Sequence, residues 1–83
     1  MRHTRQEDIE NIKFMHGRLK SITELREKNP GSFYFKGKNI IHFHEDNGIY
    51  FCDIGGERLE VLESNANMIE NMVRKNIDSL KKQ

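Results

Sequence analysis

The sequence has one cysteine, one proline and no tryptophan in 83 residues. A lone cysteine excludes an internal disulfide, so packing must hold the fold; Cys52, between Phe51 and Asp53, reads as a core residue of a cytosolic protein. No apolar run approaches the ~18 residues that cross a bilayer, and the N-terminal "MRHTRQEDIE" has no hydrophobic signal region. The expectation is a cytoplasmic protein with no membrane partner. Excess charge is also missing: 14 basic side chains face 13 acidic ones, for a net +1. That balance demands neither a polyanion nor an acidic lipid surface. Internal repeats and low-complexity segments are absent as well.

What remains is one small α+β domain, 1–83, with a thin core. A chain of this size buries only ~60 to 65% of the surface it exposes when unfolded. Charge is unevenly spread. Residues 1–29 carry seven Lys/Arg against five Asp/Glu, residues 30–63 three against six, and residues 64–83 four against two. Basic ends flank an acidic middle.

Thr4 and Glu7 have capping-box spacing, and Glu7 and Asp8 place negative charge in a first helical turn. Ile9, Ile12, His16, Leu19, Ile22 and then Leu25 or Arg26 follow at steps of three and four, which predicts a helix over 4–28. As one rod it would be ~37 Å long, against ~20 Å for a six-residue strand, so it must bend near Gly17 or overhang. Pro30 and Gly31 end it. His16 on this stripe reads as a hydrogen-bonded boundary residue.

From Phe33 the period changes to two, and strands are expected at 32–36, 40–45, 49–54 and 57–62. Phe33, Phe35, Ile41 and Phe43 stay on one face if Gly37, Lys38 and Asn39 form a three-residue loop with Asn39 left-handed. A two-residue loop that set Phe35 opposite Ile40 would split the aromatics between faces and is rejected. Asn47-Gly48 is a type I′ turn, which pairs His44 with Phe51 and His42 with Asp53. A turn at Gly55-Gly56 pairs Asp53 with Arg58 and Cys52 with Leu59. Three turns give a four-stranded antiparallel meander. A C-terminal helix over 65–81 carries Ile69, Met72, Val73, Ile77 and Leu80 on its apolar stripe. A longer helix joining Leu59, Leu62 and Ala66 to that stripe is the competing reading. Both helices are expected on one face of the sheet.

The run "FYFKGKNIIHFHEDNGIYFCDIGGERLEV", Phe33 to Val61, resembles a group of small prokaryotic proteins with no assigned function. In them an aromatic strand, a basic turn, an H-F-H strand and a glycine hairpin precede a final helix. The resemblance covers about a third of the chain, implies the order helix, four strands, helix, and brings no reaction or cofactor with it. A vaguer likeness is to MmcQ/YjbR-like domains, which are longer and contribute nothing residue by residue.

With the helices on the inner face, the outer face should carry Tyr34, Lys36, Ile40, His42, His44, Ile49, Phe51, Asp53, Arg58 and Glu60. Three functions compete for it. The apolar content of Tyr34, Ile40, Ile49 and Phe51 suits self-association or a protein partner, in a non-catalytic interaction module. His42, His44 and Asp53, two imidazoles and a carboxylate on one face, could hold a divalent ion, structural or catalytic, although Arg58 is an ordinary cross-strand partner for Asp53. Tyr34 and Phe51 could stack single-stranded nucleic acid, against which stands the net −3 of the sheet-forming segment. The first reading leads, and no catalytic residue is assigned.

Overall fold

Paired positive φ angles mark the tight turns: Asn47 and Gly48 at 52° and 82°, Gly55 and Gly56 at 58° and 82°. Both turns lie where the sequence places them, and the registers follow. His44 opposes Phe51, His42 opposes Asp53, and Asp53 opposes Arg58. The computed structural model describes residues 1–83, an α+β fold in which an antiparallel sheet packs against two α-helices. The sheet has six strands: β1 (Arg2–His3), β2 (Arg26–Asn29), β3 (Ser32–Phe35), β4 (Lys38–Asp46), β5 (Ile49–Ile54) and β6 (Glu57–Glu60). Helix α1 spans Lys13–Lys20 after a 3-10 segment at Gln6–Ile12, and α2 spans Ala66–Lys81 after a shorter one at Glu63–Asn65. No helix is long and apolar enough to cross a membrane.

The two strands beyond the expected four come from the N-terminal region. The helix expected over 4–28 stops at Lys20, where Ser21 Oγ donates to the Arg18 carbonyl at 2.6 Å and Ser21-Ile22-Thr23 offers poor helix formers. The chain then turns back as β2, with Arg26 opposite Tyr34 and Glu27 opposite Phe33. Periodicity could not distinguish this, because Leu25 still packs on the core as a helical position would. Nor does Thr4 cap a helix. Its hydroxyl donates to the Pro30 carbonyl at 2.9 Å, while Asp8 accepts from the Arg5 backbone N–H at 2.8 Å. Glu7 thus yields the cap to Asp8, and Thr4 ties the N-terminus to the β2–β3 turn.

The first hairpin corrects a second expectation. The loop is two residues, Lys36 and Gly37, with φ of 50° and 82°, and Phe35 opposes Lys38. The register then slips between Tyr34–Asn39 and Phe33–Ile41, leaving Ile40 as the extra residue of a bulge. A bulge restores the alternation that a three-residue loop was expected to supply, so Phe33, Phe35, Ile41 and Phe43 remain together in the core. It also swings Ile40 inward, to 5% exposure, and moves Asn39 out of the turn into β4.

The core lies between sheet and helices. Ile12, Met15, Leu19 and Ile22 from the N-terminal region and Ala66, Ile69, Val73 and Ile77 from α2 bury against the inward strand residues, including Cys52 and Ile54. Met15 sits deeper than the neighbouring His16, which is half-buried and pairs with Glu27 at 2.9 Å. Strand β6 stops at Glu60 rather than 62. Val61 still donates to the Tyr50 carbonyl at 2.8 Å, and a 3-10 turn follows, so the longer C-terminal helix does not form.

Candidate functional site on the open sheet face

Strand β4 is nine residues long and shares one edge between two partners. Strand β3 pairs with its first half, up to Ser32–His42, and β1 pairs with its second half, setting His3 opposite His44 and Arg2 opposite Glu45. Side chains alternate along a strand, so β1 sends Arg2 to the helix side and His3 to the open side. His3 thereby joins His42 and His44 in one cluster. Ring centroids are 4.8 Å apart for His3–His44, 4.7 Å for His42–His44 and 5.9 Å for His3–His42.

Asp53 lies at the focus. Arg58 clasps it with two bonds, Nε to Oδ1 at 2.7 Å and Nη2 to Oδ2 at 2.8 Å. His44 Nε2 hydrogen-bonds Oδ2 at 2.9 Å, and His42 Nε2 comes within 3.1 Å of the same oxygen. Arg58 first, and then His44, hold the Asp53 carboxyl well below the usual carboxylate range against the opposing effect of burial. His44 is 8% exposed. Burial pushes its imidazole below the ordinary value, Asp53 opposes that, and His42 and His3 reinforce it. His44 is therefore neutral near pH 7, with its Nε2–H donated to Asp53.

The far nitrogen of His42 is also engaged. Asn39 directs its amide nitrogen to the Phe33 carbonyl at 3.4 Å, which leaves Oδ1 to accept from His42 Nδ1–H at 2.9 Å. Two shallow recesses meet at His42 and Asn39. One, of about 650 Å³, runs toward Asp53, Arg58 and the Gly55–Gly56 turn; the other, of about 510 Å³, runs toward His3, Ser32 and Tyr34.

The structure thus brings His42, His44 and Asp53 together on the face where the sequence places them. It does not gather all the others. Ile40 is in the core, Lys36 is in a turn beside the Phe35 ring, and Ile49, 44% exposed, lies at the far end of β5. Tyr34 opposes Asn39 whereas Phe51 opposes His44, and with the bulged Ile40 between them adding no full step they lie about 13 Å apart along the strand. The two aromatics flank the histidine cluster from opposite ends and do not form one stacking platform. Tyr34 is also covered by Lys28, whose Nζ lies 4.7 Å from the ring centre. His3 was missed because its pairing spans some forty residues with no turn to announce it. Cys52 is inward and buried, its thiol pushed up to about 12, so it is inert. The chain matches no protein family, no curated protein and no solved structure.

Proposed function

We propose that this chain is a non-catalytic binding module that associates with a second copy of itself through the open face of the sheet. One observation carries the reading: the helices cover one face only, and the other presents Tyr34 and Phe51 at opposite ends of a histidine cluster. That placement is self-complementary. A two-fold axis through the cluster lays Tyr34 of one copy against Phe51 of the other, which is the isologous arrangement most homodimers use. With Ile40 withdrawn into the core, the apolar share of the face is smaller than the sequence suggests, so polar groups supply much of the contact. Sedimentation at micromolar concentration tests this. A dimer that dissociates with Phe51→Glu, while the monomer keeps its fold, supports the reading; a strict monomer removes self-association.

A further inference from the structure

The geometry points to a binding site for a zinc-class divalent ion on His42, His44 and Asp53, closed by His3. Nitrogen and carboxylate-oxygen donors in this proportion suit zinc and its neighbours, and three of the donor atoms already lie within 4.8 Å of one another. This site does not depend on a second copy, because every donor comes from one chain.

The hydrogen bonds around His42 favour a cation. Asn39 Oδ1 takes the proton on Nδ1, so neutral His42 carries its lone pair on Nε2, facing Asp53 Oδ2 at 3.1 Å. Two acceptors at that separation repel unless something positive lies between them. A metal ion serves that purpose, since both atoms then donate to one centre. The Asn39 contact is what a metal-ligating histidine usually has on its far nitrogen: it fixes the tautomer and orients the ring. The remaining ligands need little preparation. Asp53 already turns Oδ2 toward both imidazoles, and His44, which bonds that oxygen through Nε2 at 2.9 Å, need only carry its proton on Nδ1 to ligate.

His3 supplies the fourth donor. Its ring stands 4.8 Å from that of His44, outside the converging set, and as an exposed side chain it can rotate toward the ion. Four protein donors would make the site closed and structural rather than catalytic. The ion would then staple β1 to β4 and β5. Arg58 is the competitor: its guanidinium spans both Asp53 oxygens, and a dication must share Oδ2 with it or displace it. Like charges at that distance weaken binding, so removing Arg58 strengthens the site.

The test is zinc titration calorimetry on chain purified without an affinity tag, with cobalt(II) absorption as a report of coordination. Zinc and cobalt(II) are the probes because neither has the square-planar preference of nickel and copper. One zinc per chain is expected, bound about 10-fold or more weaker by His42→Gln and by His3→Gln, and tighter by Arg58→Gln. His42 and His3 are both accessible enough that their glutamine variants should fold, which circular dichroism checks. Absence of zinc binding to the parent chain, or an affinity unchanged by His42→Gln, overturns the site. An affinity unchanged by His3→Gln overturns its closure by β1.

Discussion

Asp8 and Asp53 are two carboxylates held in the same kind of clasp on opposite faces of one sheet. Each is gripped by an arginine through two bonds and by further donors, and each is kept well below the usual carboxylate range, chiefly by that arginine. Their surroundings differ. Asp8, its side chain 7% exposed, takes bonds from Arg2, the Arg5 backbone and the Tyr50 hydroxyl, none of which changes charge between pH 5 and 8. Asp53, 23% exposed, has imidazoles as its other partners, the side chain whose ordinary value falls in that range. One arrangement of atoms is a fixed joint and the other is responsive. Strand β1 reaches both surroundings, Arg2 bonding Asp8 itself on one face and His3 lying against the His44 ring on the other.

The widest gap between the two should appear on deletion. Asp8→Ala leaves the Arg5 N–H and the Tyr50 hydroxyl without their acceptor in a nearly buried place, while Arg2 keeps Glu45, and should cost about 3 kcal/mol by urea unfolding. Asp53→Ala, where water can reach Arg58, should cost about 1 kcal/mol. Equal costs would erase the distinction between joint and responsive cluster. Tyr50→Phe sharpens it on the Asp8 side alone. It removes one hydrogen bond to Asp8 and the acceptor for Asn11, for about 1 kcal/mol, and leaves zinc affinity unchanged.

The smallest effect is in pH. His44 is depressed in the native state, so between its native value and the ~6.5 of the unfolded chain the unfolded form binds more protons. Stability is therefore complete above about pH 6.5, declines as pH falls through that window and levels off once native His44 is itself protonated. Asp53, depressed far below its unfolded value, adds its loss only in stronger acid. Unfolding curves at pH 7.5, 6.5 and 5.5 should show a modest decline that His44→Gln flattens and Tyr50→Phe does not. If the face pairs two copies, protonating the clustered imidazoles sets like charges against each other. Molecular mass at pH 5.5 should then fall toward the monomer, and an unchanged mass would count against histidine at the contact.

Much of this was readable from residue order. The asparagine-glycine and glycine-glycine turns fix the β4–β5–β6 registers locally, and two-residue periodicity then puts His42, His44 and Asp53 on one face whatever the helices do. The apolar spacing of Ile69, Val73 and Ile77 announces α2 in the same way. What resisted reading depends on contacts distant in sequence or on degenerate patterns. Leu25 suits a helical stripe and a strand's approach equally, so β2 was hidden inside the expected helix. The bulge at Ile40 has no residue signature of its own, yet it decides which side of the sheet that isoleucine occupies. His3 reaches the cluster only because β4 is longer than β3 and leaves room along its edge.

That spare length has its own consequence. Beyond His42, the backbone groups on that side of β4 are occupied by β1, by Thr4, whose N–H donates to the Phe43 carbonyl at 3.3 Å, and by the Gly31 carbonyl, which accepts from the Phe43 N–H at 3.0 Å. The first four residues thus act as a stopper in an open slot, holding the place that an extended peptide from another molecule could take by adding itself to the sheet. Arg2, through Asp8 and Glu45, and Thr4, through the Pro30 carbonyl, secure the stopper on the helix side, so the chain resists strand exchange most where these bonds hold β1.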